Sequence, residues 1–146
     1  MKLKSILLGG LSLLTFGVFG QSDLIISAVY DGPLSGGTPK GVELFAINDI
    51  ADLSAYGVGS ANNGGGSDGE EFTLSGSAMQ GDYIYIATEE PQFISFFGFA
   101  PNFTDVSMAI NGDDAVELFK DGTAVDVFGD IMSDGSGQTW EYADSW

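Results

Sequence analysis

Residues 115–128 read Ala115-Val116-Glu117-Leu118-Phe119-Lys120-Asp121-Gly122-Thr123-Ala124-Val125-Asp126-Val127-Phe128. Two runs that mix β-branched, aromatic and charged residues flank the dipeptide Asp121-Gly122. Asp-Gly between two such runs is the strongest short-range signal for a tight β-hairpin. The stretch therefore predicts antiparallel strands at 115–119 and 124–128, and an all-β fold around them.

Further short runs of the same kind precede this hairpin. They lie at 24–30, 41–47, 56–59, 72–74 and 83–87, and Gly, Asn, Asp and Ser residues separate them. We expect Asp31-Gly32-Pro33 to end the first run. In the second run, Val42 and Leu44 point to one face and Glu43 and Phe45 to the other, since side chains alternate along a strand. The spacing is typical of a β-sandwich.

The segment 91–99 departs from the strand pattern. Phe93, Phe96 and Phe97 lie at positions i, i+3 and i+4, which predicts a short helical turn with an aromatic face. We expect Phe93, Ile94, Phe96, Phe97 and Phe99 to close one end of the sandwich core. The alternative is an exposed recognition patch.

The N-terminus has the pattern of a cleavable signal peptide. Lys2 and Lys4 precede an apolar stretch from Ser5 to Phe19, and small residues precede a cleavage point after Gly20. A transmembrane anchor is the alternative, but the stretch is shorter than the ~20 residues that span a bilayer as a helix. We therefore expect a signal peptide at 1–20, one domain at 23–146 and a secreted, extracellular protein.

The charge balance excludes several functions. The whole chain has 146 residues, 21 acidic side chains, four lysines or arginines, no histidine and no cysteine. From residue 21 onward only Lys40 and Lys120 are cationic, so the net charge is −19. This composition excludes disulfides, the usual zinc sites and nucleophile–histidine catalysis. It also argues against direct binding of nucleic acid, because no basic surface is present to neutralise phosphates.

Acidic, glycine-rich loops are the candidate ligand sites. Asp130, Asp134 and Ser136 offer oxygen atoms of the kind that Ca²⁺ prefers, and so do Asp113 and Asp114 after Asn111-Gly112. The spacing in 129–137 matches neither an EF-hand nor an aspartate-rich repeat, so we interpret that loop as a solvated turn, with calcium binding as the alternative. We interpret residues 111–114 as a turn that starts a strand, and the alternative is a carboxylate pair that holds an ion or a backbone amide. The stretch Asn62–Gly69 is interpreted as a long flexible hairpin loop, with contact to a ligand as the alternative. We assign no catalytic, cofactor-binding or metal-binding residue.

Paired carboxylates are the remaining candidates for a catalytic role. Among 21 acidic residues some pairs come close by chance, so proximity alone means little. A glycosidase also needs aromatic platforms in a cleft, and only Trp140 and Trp146 are available as tryptophans. We therefore expect that this chain is not itself an enzyme.

The most specific motif is Asn111-Gly112-Asp113-Asp114-Ala115-Val116-Glu117-Leu118, followed by Gly122-Thr123-Ala124-Val125-Asp126. Together with Leu24-Ile25-Ile26-Ser27 and Val42-Glu43-Leu44-Phe45, it resembles the lamin tail domain, in particular the bacterial secreted branch of that family. The resemblance extends from about residue 23 onward. It implies an immunoglobulin-like β-sandwich without catalytic activity, of the kind that accompanies nuclease, phosphoesterase or adhesive domains in exported proteins.

The chain ends at Trp146 within the motif pattern, so we expect a domain truncated at its C-terminus and a longer parent protein. The predicted function is association with a protein or cell-surface partner, or spacing of a neighbouring domain. One alternative is an accessory domain of a secreted DNA nuclease or phosphoesterase whose catalytic part lies beyond residue 146. A second alternative is a calcium-stabilised adhesion module.

Overall fold

A computed structural model describes residues 22–146 of the chain. The predicted signal peptide at 1–20 lies outside the described residues. The strands are β1 (Leu24–Leu34), β2 (Thr38–Ala46), β3 (Tyr56–Ala61), β4 (Phe72–Thr73), β5 (Tyr83–Ala87), β6 (Phe103–Thr104), β7 (Ala115–Lys120) and β8 (Thr123–Phe128). One α-helix, α1 (Pro91–Phe97), and three short 3-10 turns complete the described part.

The strands form two four-stranded sheets. The first sheet has the order β1-β2-β5-β6 and the second has the order β4-β3-β7-β8. All pairings are antiparallel except that of β5 with β6, which is parallel. The predicted all-β sandwich is therefore confirmed.

One continuous apolar core lies between the sheets. The alternate residues Val42 and Leu44 of β2 are fully buried and face Val58 of β3 and Val116 and Leu118 of β7. These positions are the inward-facing half of each two-residue repeat, as the alternation predicts. Each buried aliphatic side chain of this kind stabilises the fold by about 1.5–3 kcal/mol.

The hairpin that the sequence predicts is present. β7 pairs with β8 in antiparallel register, and Lys120 lies opposite Thr123. The two turn residues, Asp121 and Gly122, have φ angles of 51° and 73°. A two-residue turn with both angles positive has a twist that matches the flanking strands, and Asp-Gly adopts it readily.

The C-terminal segment closes the sandwich along the free edge of β1. The backbone amide of Asp31 donates to the carbonyl of Ser145 over 3.1 Å, and Tyr142 is buried in the main core. Nearer the start of β1, the amide of Ile26 donates to the carboxylate of Asp126 in β8 over 2.8 Å. The edges of the two sheets are therefore tied together on this side.

The position predicted for the aromatic helix is wrong. Helix α1 lies against the outer face of the first sheet rather than at an end of the core, and Phe93 is buried there beside Tyr30. The ring of Tyr30 lies over Gly41, where a Cβ atom would stand 2.5 Å from the Tyr30 hydroxyl oxygen. Gly41 in β2 thus provides space for a cluster of aromatic rings on the outer face of the first sheet. Strand alternation alone predicts that this face is exposed to solvent.

Candidate functional site

The three acidic, glycine-rich segments converge at one end of the second sheet. They are residues 62–69, 111–114 and 129–137. The amide of Gly66 donates to the carbonyl of Ile131 over 2.8 Å, and the amide of Gly135 donates to the carbonyl of Asp113 over 2.9 Å. The segments therefore pack on one another as a single unit of backbone contacts.

Asp114 links these segments from a fully buried position. One carboxylate oxygen accepts from the amide of Asn63 over 2.9 Å, and the other accepts from the amide of Asn111 over 2.7 Å. Its carbonyl accepts from the hydroxyl of Tyr142 over 2.9 Å. The side chain thus satisfies two backbone donors, which is a structural role, and neither oxygen is turned to solvent.

Asp130 and Asp134 bond to their own turns. The amide of Met132 donates to Asp130 and the amide of Ser136 donates to Asp134, at 2.9 and 2.8 Å. The same backbone bonds, followed by the hydroxyls of Ser133 and Ser136, lower the pKa of each carboxyl below its ordinary value. Both are turn-forming aspartates of the type we predicted.

The calcium alternative gains no support from this geometry. Within residues 22–146, no group of three or more acidic side chains is placed to hold a metal ion. A calcium ion usually requires six to eight oxygen ligands. The nearest approach to a shared site is Asp113, whose carboxylate accepts from the hydroxyl of Ser136 over 3.0 Å.

An ion pair within the first sheet, which the sequence did not indicate, anchors the loop that precedes β7. The ammonium of Lys40 donates to Asp31 over 2.7 Å, to the carbonyl of Ile110 over 2.7 Å and to Asn111 over 3.1 Å. The other oxygen of Asp31 accepts from the amide of Gly112 over 2.9 Å. The Asn111-Gly112 part of the most specific motif therefore positions the loop against the first sheet. The only available signal was that Lys40 is one of two cations after residue 21.

Glu117 is a buried carboxylate on the outer face of the second sheet. Only 2% of the residue is exposed, and its Oε2 atom has no hydrogen-bond partner among the described residues. It lies opposite Gly59 in β3, where a Cβ atom would stand 2.3 Å from the carbonyl oxygen of Gly69. The loop at 62–69 thus lies directly on this face beside Glu117.

We expect the substitution Glu117→Met to raise the free energy of unfolding by about 1–3 kcal/mol. A buried polar atom without a partner costs free energy, and a methionine of similar length fills the same space without that cost. Urea unfolding at pH 7 measures the change, and Glu90→Met, at an exposed position, is the control. A loss of more than about 1 kcal/mol would show that the carboxylate has a stabilising partner.

Aromatic side chains lie on the outer face of the first sheet in two neighbouring groups, Phe45 with Tyr83 and the rings around Phe93. Ring centroids lie 5.0 Å apart for Phe45 and Tyr83 and 5.0 Å apart for Tyr85 and Phe99. We call the following nine residues the aromatic strip. Its members are Tyr30, Phe45, Tyr83, Tyr85, Phe93, Phe96, Phe97, Phe99 and Trp146.

Some side chains of the aromatic strip are buried, and others are exposed to solvent. Tyr30 and Phe93 are buried, whereas Tyr83, Phe99 and Trp146 are 52%, 43% and 71% exposed. The buried members hold the helix on the sheet, so the exposed rings project from a fixed support. The alternative interpretation of Phe99 as part of an exposed patch thus describes this side chain better than a core role.

Burial and a neighbouring charge also change the pKa of a tyrosine hydroxyl in this strip. Burial, together with the carboxylate of Glu43 beside it, raises the pKa of Tyr85 to about 12. Glu43 lies opposite Tyr85 across the β2–β5 pair and accepts from the hydroxyl of Ser27 over 2.7 Å. A carboxylate therefore lies within the aromatic strip.

Both tryptophans line a groove beside the free part of β1. The groove has a volume of about 410 Å³ and is open to solvent, and its walls include Phe128, Trp140 and Trp146. The ring of Trp140 packs over Gly129 and Gly135, where added Cβ atoms would stand 2.9 and 2.6 Å from it. The groove meets the aromatic strip at Trp146, whose ring lies 5.6 Å from that of Phe96.

Comparison with protein-family models, with curated proteins and with solved structures found no match to this chain. The structure itself shows a two-sheet β-sandwich with an exposed aromatic strip, and the composition of the chain is strongly acidic. The resemblance to the lamin tail domain stays a prediction from the motifs. In the described part of the chain, no helix has both the length and the apolar character of a membrane span.

Proposed function

We propose that this chain is a non-catalytic association module of an exported protein and that it binds its partner through the aromatic strip. In this proposal the module is lamin-tail-like, with an immunoglobulin-like sandwich, as the sequence motifs imply. Export follows from the signal-peptide pattern of residues 1–20.

The observation that carries the proposal is the exposure of Tyr83 and Phe99 on the outer face of the first sheet, together with that of Trp146 at the adjoining edge of β1. Scattered exposed apolar residues are normal, but contiguous aromatic patches mark interaction sites. Tyrosine and tryptophan supply much of the binding energy in interfaces because they bury large areas with few rotatable bonds. Since Tyr30 and Phe93 hold the strip in place, little ordering is required on binding.

The proposed absence of catalysis rests on composition and on the use of the carboxylates. The chain has no histidine or cysteine to act as a base or thiol nucleophile. The buried carboxylates of Asp31 and Asp114 bond to backbone amides and a lysine, so they stabilise loops. These observations support an association role over a reaction centre.

Site-specific photocrosslinking in the cells that produce the protein tests the proposal. We expect p-benzoylphenylalanine at position 99 of the full chain to give a discrete crosslinked product. The same group at position 127 is the control, because Val127 has the same exposed fraction, 43%, but lies on the second sheet. Products of equal yield from both positions, or none from position 99, would rule out binding through the aromatic strip.

A further inference from the structure

We infer that the partner of the aromatic strip presents an arginine-rich segment. This inference rests on the proposed function and names the chemistry that the strip recognises. It depends on where the carboxylates lie along the strip and on how the two lysines are used.

Carboxylates lie beside the strip at two places. Glu43 lies within it on β2, opposite Tyr85. Glu89 and Glu90 directly precede helix α1, and the charge of Glu89 acts on the hydroxyl of Tyr30. A ligand that contacts the rings is therefore held close to several negative charges.

No cation compensates this charge within the described residues. Lys40 is paired with Asp31 at 2.7 Å with little exposure, and Lys120, the last residue of β7 in the second sheet, is paired with Asp23 at 3.2 Å. With a net charge of −19 from residue 21 onward, the domain repels anionic polymers and also a second copy of itself. Charge complementarity therefore favours a cationic partner.

Arginine matches both parts of this surface. Its planar guanidinium stacks on aromatic rings and donates paired hydrogen bonds to carboxylates, whereas lysine acts as a compact, strongly hydrated charge. Elsewhere in the domain a cation contacts a ring and a carboxylate together, because the ammonium of Lys120 lies 5.0 Å from the ring centroid of Tyr56 and 3.2 Å from the carboxylate of Asp23. Rings interleaved with carboxylates thus form a surface on which guanidinium groups both stack and pair.

Binding of synthetic peptides tests this inference. The probes are octa-arginine, octalysine and octaglutamate, and titration calorimetry at 150 mM salt measures their affinities for the mature chain. We expect octa-arginine to bind at least about tenfold more tightly than octalysine, because stacking adds to charge pairing. We expect no binding of octaglutamate.

Variants distinguish binding through the aromatic strip from a general attraction between the cationic peptide and the acidic domain. Tyr83→Ser and Trp146→Ser, made singly and together, are expected to weaken octa-arginine binding, with a loss of about tenfold for the pair. The matched control pair is Val125→Ser and Val127→Ser, which removes exposed apolar side chains from the second sheet and leaves the charge unchanged. We expect less than a twofold effect from this control. Both positions in the strip variant are exposed, so circular dichroism should show an unchanged fold.

Two outcomes would overturn the inference. One is equal affinity for octa-arginine and octalysine with no effect of the strip variants, which would show charge attraction alone. The other is binding of a neutral glycan such as cellohexaose that depends on Tyr83 and Trp146 while octa-arginine binds no better than octalysine. The second outcome replaces the partner's chemistry but leaves the proposed function in place, because crosslinking from position 99 tests that function independently.

Discussion

Asp114→Asn is expected to lower the free energy of unfolding by about 2–6 kcal/mol. Both carboxylate oxygens of Asp114 accept backbone amides, from Asn63 and Asn111, and the residue is fully buried. Asparagine has one acceptor oxygen, so its NH₂ group must face the other donor. One charge-assisted bond is lost and a buried amide is left without a partner, and each of these costs about 1–3 kcal/mol. Chemical denaturation at pH 7 measures the loss.

Asp130→Asn is the matched control for this prediction. Asp130 is also an acidic residue in the converging loops, but it is exposed and bonds only within its own turn, which asparagine can also form. We expect a change within about 0.5 kcal/mol. Similar effects at both positions, abolished by a chelator, would show that a bound cation rather than the backbone bonds holds the loops together. That result would support the calcium-stabilised alternative.

The parts of the fold that depend on local chemistry were predictable. The hairpin at 115–128 needs only a turn of two residues with positive φ, and Asp121-Gly122 supplies it. The strands with alternating apolar residues were found for the same reason, since burial of one face requires that pattern. These signals lie within a few residues of the structure that they specify.

Features that depend on tertiary contacts were missed or misplaced. β1 was expected to end before Asp31, but it runs to Leu34 because Asp31 and Leu34 pair with Lys40 and Thr38 in β2. Strand β6 has two residues and exists only through its parallel pairing with β5. No pattern within either segment carries this information, because the partner strand supplies it.

In the candidate site, too, local features were predicted from the sequence and tertiary contacts were not. The sequence placed an aromatic face on residues 93–97, which local periodicity reveals, but it placed that face at the wrong surface. The space for it comes from Gly41, which lies far away in the chain and admits the ring of Tyr30. The motif at 111–114 was singled out for its acidic residues. In the structure Asp114 holds backbone amides, as the alternative interpretation predicted, and the amide of Gly112 donates to Asp31 in the first sheet, which the sequence did not indicate.

Alkaline pH is expected to unfold the domain cooperatively between pH 10 and 12. Tyr30 and Tyr142 are 2% and 4% exposed, and their hydroxyls donate to the carbonyls of Ile86 and Asp114, each over 2.9 Å. Burial, and then the nearby charges of Glu43 for Tyr30 and Asp114 for Tyr142, raise the pKa of both far above the ordinary value of about 10.

The sign follows from the protons bound in each state. Above pH 10 the unfolded chain releases the two tyrosine protons while the folded domain keeps them, so the free energy of unfolding falls as pH rises. The slope is about 1.4 kcal/mol per pH unit for each tyrosine, or about 2.7 for the pair. Over two pH units this amounts to about 5 kcal/mol, which is comparable to the whole stability of a small domain. Below pH 10 neither tyrosine contributes a pH dependence.

Absorbance at 295 nm and near-ultraviolet circular dichroism, followed together from pH 8 to 13, test this prediction. We expect ionisation of the buried tyrosines to coincide with loss of tertiary structure. Tyr142→Phe and Tyr30→Phe each remove one of these protons, so each variant should show a pH slope in denaturant unfolding that is smaller by about 1.4 kcal/mol per pH unit, whatever its stability at pH 7. Tyr83→Phe is the control, because this residue is more than half exposed, and its slope should match that of the unsubstituted protein. Reversible ionisation of all five tyrosines near pH 10 with an unchanged dichroism spectrum would show that the two hydroxyls are not held as the structure places them.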